Sequence, residues 1–184
     1  DAALPGPGLF LQVTERDRFF LLAVSQNAVR MFEGDSAGLD EIELPGLPKN
    51  LEQALNIEGA PRGSQVHAAV RGGQTGKHGK QESVFHGQGG EADTRKAELE
   101  LFLRQVAAVV DQRLIEERAP LVLATVADHV PMWRAASCYE HLLCDFVAGC
   151  PDYLTPQELH AKAWPLVQPE LDRDRDRLHR RLTH

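Results

Sequence analysis

Cysteine is scarce in this chain of 184 residues: Cys138, Cys144 and Cys150 are all there is. So few, and in odd number, they cannot build a disulfide framework, and nothing near Asp1 resembles a signal peptide, so a reducing cytoplasm is the simplest setting. Long apolar runs are missing too. Arg104 and Gln105 interrupt the best segment, which falls short of the roughly 18 to 20 residues that span a bilayer. A soluble protein without a membrane partner is expected. Positive charge is not in excess either: 20 Lys and Arg stand against 27 Asp and Glu, a net charge of −7. That balance excludes a surface that binds nucleic acid over its whole extent, so any such contact must be local. Phosphate-cradling and dinucleotide glycine patterns are absent, as are a Gly-x-Ser-x-Gly elbow and a Cys-His pair in a catalytic context. Ordinary hydrolase classes find no support, and no cofactor is expected.

What is present is length for one globular domain, which at this size buries roughly 70% of its unfolded surface without staples. The chain is organised around Arg71 to Asp128, a glycine-rich polar loop, a long amphipathic helix and a buried strand. The loop contains Arg71-Gly72-Gly73-Gln74 and later Lys77 and Lys80, and a second tract, His86-Gly87-Gln88-Gly89-Gly90, directly precedes the helix. Glycines without Cβ let a backbone approach a ligand closely, so a flanked glutamine amide can be offered to one. From Arg62 to Lys80 the sequence holds Arg62, Arg71, Lys77 and Lys80 with no acid, the one basic patch in an acidic protein. A loop of this length inside a compact domain is uncommon and usually functional or disordered.

In chain order, Asp1 to Gly8 reads as a linker and Leu9 to Val13 as a short strand. Phe19 to Val24 is a continuous apolar run suited to a strand covered on both faces, and Ala28 to Glu33 and Leu39 to Leu44 complete an antiparallel meander. Asn50 caps a short helix from Leu51 to Leu55. Asp93 or Thr94 caps the long helix, whose apolar positions Leu99, Phe102, Leu103, Val106, Val110 and Leu114 recur at helical spacing, and Glu116 to Arg118 end it. Pro120 precedes a buried strand, Leu121 to Val126. Met132 to Ala136 reads as a strand and Tyr139 to Val147 as a short helix. A last helix starts at Thr155 or Pro156, with Pro165 and Pro169 expected to kink or segment it. The alternating run Asp172 to Arg177 permits pairs such as Asp172 with Arg175, and reads as a solvated helix leading out of the domain.

Two metal constellations fail on spacing. Residues six apart on a helix lie about 240° apart, so the three cysteines would share no helical face, and zinc favours closer Cys pairs. His67, His78 and His86 with Asp93 fit no recognised ligand spacing, and a flexible loop seldom holds a metal. No metal site is assigned.

Several separated segments agree in order with one family. The strand hairpin, the Leu-Pro segment, the Gly-Gly-Gln loop, the long helix and the Leu-Val-Leu-Ala strand resemble the middle domain of archaeal and eukaryotic peptide-chain release factors and their Pelota relatives. Val84-Phe85-His86-Gly87-Gln88-Gly89, Ala119 to Ala124 and Glu158-Leu159-His160-Ala161-Lys162-Ala163-Trp164 resemble the bacterial branch of that superfamily, over about Phe19 to Leu171. The resemblance implies an α/β fold, a three-layer ribonuclease-H-like domain with a mixed sheet of the release-factor middle-domain type. It also implies the ribosome and tRNA as partners, and a further C-terminal domain of the same protein beyond the charged helix of 172–184. By that reading 1–8 is a linker and 9–171 the α/β domain.

In release factors the Gly-Gly-Gln tip promotes attack of water on the ester between peptide and tRNA. Glutamine has no useful pKa, so it would position water rather than act as a base. Two tips compete here. Gly72-Gly73-Gln74 is the literal match, within the basic stretch that would meet RNA phosphates; His86-Gly87-Gln88 is the positional match, close before the long helix. The leading expectation is a ribosome- or tRNA-associated domain that promotes peptidyl-tRNA hydrolysis in termination or rescue. The alternative is a non-catalytic translation-associated interaction domain that kept the fold and lost the hydrolytic role. A nuclease ranks last, because it needs clustered carboxylates and only Asp128 stands near a strand end.

Overall fold

The computed structural model describes residues 17–57 and 89–182. Phe19–Val24 (β1), Val29–Gly34 (β2), Leu39–Ile42 (β3), Leu121–Thr125 (β4) and Leu142–Ala148 (β5) form one sheet in the order β3-β2-β1-β4-β5. The helices are Leu51–Ile57 (α1), Gly89–Arg113 (α2), His129–Ala136 (α3) and Pro156–Leu182 (α4). β1 pairs antiparallel with β2 and parallel with β4, and β4 is parallel to β5, so the sheet is mixed. The expected strand at Leu9 to Val13 lies outside the described residues.

The layers follow from side-chain alternation. Every residue of β1 is buried, and successive side chains of a strand point to opposite faces. Phe20, Leu22 and Val24 join Phe102, Leu103, Val106, Val110 and Trp133 in one core with α1, α2 and α3. Phe19, Leu21 and Ala23 join Leu159, Ala163, Val167 and Leu171 of α4 in the other. The fold is therefore three layers, helices on both faces of the sheet. In α4 the buried positions recur every fourth residue, which keeps one face against the sheet, while Pro165 and Pro169 stand exposed. Both prolines face solvent, where the carbonyl that each displaces four residues back can turn to water, and the helix continues through both as one element, against the expected segmentation.

The meander is closed by side-chain capping of its turns. Ser25 Oγ accepts from the N–H groups of Asn27 and Ala28 at 3.0 and 3.1 Å. Asp35 Oδ1 accepts from Ala37 N at 2.7 Å, folding the β2–β3 turn. A Cβ on Gly34 would stand 2.4 Å from Leu39 Cδ2 and 2.8 Å from Gly38 O, so only glycine fits this hairpin.

Two sequence expectations are reversed beyond β4. Met132 to Ala136 belongs to a helix, α3, and Tyr139 to Val147 contributes a strand, β5. A strand parallel to its predecessor needs a crossover, and the eight residues of α3 supply it. Val130 and Trp133, three apart at helical spacing, are buried, Trp133 in the core with α2, and Pro131 sits in the first turn where its missing N–H costs no bond. Leu142 to Ala148 then pairs with the free edge of β4. Asp111 of α2 fixes the exit of α3: its carboxylate accepts from Ser137 Oγ at 2.6 Å and Cys138 N at 2.7 Å.

Candidate functional site

Every residue given a catalytic or RNA-binding role from the sequence lies in one segment. Arg62, Arg71, Gly72, Gly73, Gln74, Lys77, Lys80, His86, Gly87 and Gln88 fall within 58–88, outside the described residues. His67 and His78 fall there as well. The structure places the two ends from which that segment is held, Ile57 at the close of α1 and Gly89 at the opening of α2.

The first anchor is tied to the sheet. Asn50 Oδ1 accepts from Gln53 N at 2.8 Å, and Gln53 Oε1 accepts from Lys49 N at 2.7 Å, a reciprocal cap. Leu51 N donates to Gln26 O and Val29 N to Lys49 O, both at 2.9 Å, which bind α1 to the β1–β2 turn. Ala54 is fully buried. The start of α1 is therefore held at the end of the sheet where β1 stops.

The second anchor behaves differently. α2 has 25 residues, roughly 37 Å at 1.5 Å per residue, whereas the five residues of β4 cover roughly 17 Å. The excess stands at the N-terminal end. Gly90 through Ala97 are exposed without a break, and Leu99 is the first buried residue. Roughly two turns exposed on all sides cannot be resting on the domain. Asp93 and Thr94 do not cap α2 as the sequence suggested, because the helix begins at Gly89. Thr94 Oγ1 instead donates back to Gly90 O at 2.7 Å, inside the first turns. Gln88 is thus bonded to the tip of a helix that stands clear of the core.

Charge divides along the same line. Residues 58–88 hold Arg62, Arg71, Lys77 and Lys80 against Glu58 and Glu82, while the whole chain carries −7, so the rest is more acidic than the total. The charged end of α4 does not offset this. Arg173 pairs with Glu170 at 2.6 Å, Arg175 with Asp172 at 3.1 Å and Arg177 with Asp174 at 3.2 Å. Arg175 also reaches Asp17 at 2.6 Å, and Arg177 and Leu178 border a groove of about 520 Å³ against the start of β5. This run is tied to the domain further along than a helix leading straight into solvent.

The carboxyl ends of β1, β4 and β5 carry a polar network that sequence reading did not foresee. Thr125 Oγ1 donates to Val24 O at 2.8 Å. With that proton used, His129 Nδ1, 3.2 Å away, must be the donor to Thr125 Oγ1. His129 is 6% exposed, and burial lowers its pKa from 6.5 against the opposing pull of Asp128. Beside it on the edge, Asn27 Nδ2 donates to Asp152 at 3.0 Å, and Arg30 donates to Pro151 O and Leu154 O at 2.9 and 3.0 Å. Burial opposes ionisation of Asp152, but the polar groups of Ser25, Asn27 and Cys150 around the carboxylate, with Arg30 nearby, leave its pKa lowered overall. These contacts hold the loops at the edge from which α1 departs.

Other segments singled out from the sequence have structural work. In Glu158 to Trp164, Glu158 accepts from Thr155 N at 2.9 Å at the start of α4, and Leu159 and Ala163 are core. His160 Nε2 donates to Asp35 O at 2.8 Å and its ring stacks on Trp164 at 5.7 Å. That motif locks α4 to the β2–β3 turn. Cys138, Cys144 and Cys150 are exposed and free. Among the described residues no three His, Cys, Asp or Glu side chains gather as a metal site, and Asp128 makes no side-chain cap bond at the start of α3. Among them, too, no helix is long and apolar enough to cross a membrane.

The model of one protein family, described as bacterial archaeo-eukaryotic release factor family 7, matches residues 19–169. A comparison with curated proteins finds no match.

Proposed function

This chain belongs to the bacterial archaeo-eukaryotic release factor family 7, and we propose that within that translation-related family it acts at the ribosome by presenting residues 58–88 to peptidyl-tRNA and promoting hydrolysis of its ester. One observation carries the reading: α2 is exposed without a break from Gly90 to Ala97, so the point at which the Gly-Gln tract joins the helix lies beyond the core. The basic residues Arg62, Arg71, Lys77 and Lys80 give that segment affinity for RNA phosphates, while the acidic remainder keeps non-specific contact low. Neither Gln74 nor Gln88 has a titrating side chain. Each would act by orienting water toward the ester carbonyl, with the ribosome supplying the remainder of the catalysis. Work at the ribosome places the protein in the cytoplasm.

A second reading has its own observation. The literal Gly-Gly-Gln ends at Gln74, well before Gly89 and separated from α2 by the His86-Gly87-Gln88 tract. A domain that binds the ribosome without hydrolysing anything would tolerate that displacement. Peptide release from ribosomes carrying labelled peptidyl-tRNA separates the two. Wild-type protein is compared with Gln74→Ala and Gln88→Ala, ribosome binding is followed in parallel, and the tRNA is checked for integrity. Release abolished by one change with binding retained establishes hydrolysis and its residue. Binding without release by wild type establishes the interaction domain, and cleaved tRNA would point to a nuclease.

A further inference from the structure

A helix exposed on all sides ordinarily lacks the packing that stabilises helices in proteins, and survives only where its own sequence supports it. The opening of α2 reads Gly89-Gly90-Glu91-Ala92-Asp93-Thr94-Arg95-Lys96-Ala97-Glu98. Two glycines at the very start weaken it, but Glu91, Ala92, Arg95, Lys96, Ala97 and Glu98 are strong helix formers. Propensity carries these turns, since local contacts add little: Thr94 Oγ1 only bonds back to Gly90 O at 2.7 Å, and the exposed Lys96 Nζ lies 4.0 Å from Glu100 Oε1 one turn on. From Leu99 the same helix enters the core through Phe102, Leu103 and Val106, so its base is clamped while its tip is free.

We propose that residues 89–98 are a self-supporting helical spacer whose stiffness fixes how far from the core, and on which side of the helix axis, the chain joins α2 at Gly89. The spacer adds roughly 15 Å beyond the core, and each residue of it turns the tip by about 100°. The side chains of the spacer need touch no substrate; they are positioning residues acting through helix continuity. Its consequence for catalysis rests on the hydrolytic reading above, but its stiffness can be measured without any activity.

Two variants of the full chain separate stiffness from side-chain contact. One carries Asp93→Ala and Arg95→Ala; the other carries Asp93→Gly, Arg95→Gly and Ala97→Gly. Both lose the same charged groups, and only the glycine variant loses helix propensity. In the peptide-release assay the alanine variant is expected to match wild type. The glycine variant is expected to lose about a hundredfold in rate at saturation, a cost typical of a reacting group misplaced by about an ångström. Its half-saturating concentration should stay within about twofold, since ribosome binding is intact. Equal losses in the two variants would assign the effect to side-chain contacts, and no loss in either would leave the spacer without a role; both results overturn the proposal.

The second measurement is a distance. Spin labels at Glu91→Cys and Gln112→Cys, in a background with the three native cysteines changed to serine, should give one narrow distribution near about 32 Å in free wild-type protein. The glycine variant should broaden it. A broad or markedly shorter distribution in wild type would sink the spacer. A narrow one in a protein that releases no peptide would leave the spacer standing and remove the hydrolytic reading instead.

Discussion

His129 makes the fold sensitive to mild acid, and the size of the effect follows from its surroundings. Its Nδ1 donates to Thr125 Oγ1, whose own proton goes to Val24 O, and the ring is 6% exposed with its pKa lowered below 6.5 by burial. In the unfolded chain the imidazole regains an ordinary pKa of about 6.5 and binds a proton more readily than in the folded protein. Stability must therefore rise with pH through the interval between the lowered folded value and about 6.5, and fall as the solution is acidified through it. One group contributes at most about 1.4 kcal/mol per pH unit there. Asp152 and Glu158 have lowered carboxyl pKa values, so their contributions persist above about pH 4 and do not enter this window. Urea unfolding between pH 5 and 8 measures the effect, comparing wild type with His129→Asn, whose amide keeps a donor near the Nδ1 position without titrating. The difference between the two stability curves should be flat above about pH 7 and move against wild type by up to about 1 kcal/mol per unit toward pH 5. Parallel curves across the whole range would refute the claim that His129 is held neutral by the fold.

Further substitutions test the packing directly. Phe102→Ala opens a cavity among fully buried neighbours and should cost about 3 to 5 kcal/mol by urea unfolding. Asp111→Ala removes the acceptor of Ser137 Oγ and Cys138 N, and should cost about 1 to 3 kcal/mol with faster amide exchange at the end of α3. Arg30→Met retains the aliphatic stem but loses the bonds to Pro151 O and Leu154 O; a loss of about 1 to 3 kcal/mol is expected in the same assay. Pro169→Ala restores an N–H on the exposed side of α4, and a rise in melting temperature reports whether the proline weakens that helix.

The sequence alone determined the elements whose pattern is local. Phe19 to Val24 and Leu121 to Ala124 are apolar throughout, and both lie in strands covered on two faces. Leu99 to Leu114 repeats at helical spacing, and that stripe faces the core. Asn50 caps α1 as its side chain suggests. The family is legible as well, because several short motifs keep their order along the chain. Beyond β4 local pattern fails, since Met132 to Ala136 and Leu142 to Ala148 are short apolar stretches that suit either conformation. What decided between them was tertiary: β4 had a free edge, the next strand ran parallel to it, and only a helical crossover could connect the two. The start of α2 was likewise misplaced, because Asp93 and Thr94 are good caps and nothing local says that the helix continues to Gly89. Residue types and spacing name Gln74 and Gln88 as candidates. That the chain after Gln88 is a helix standing clear of the core is a matter of how long α2 is relative to the sheet it packs on, and burial in three dimensions alone decides that.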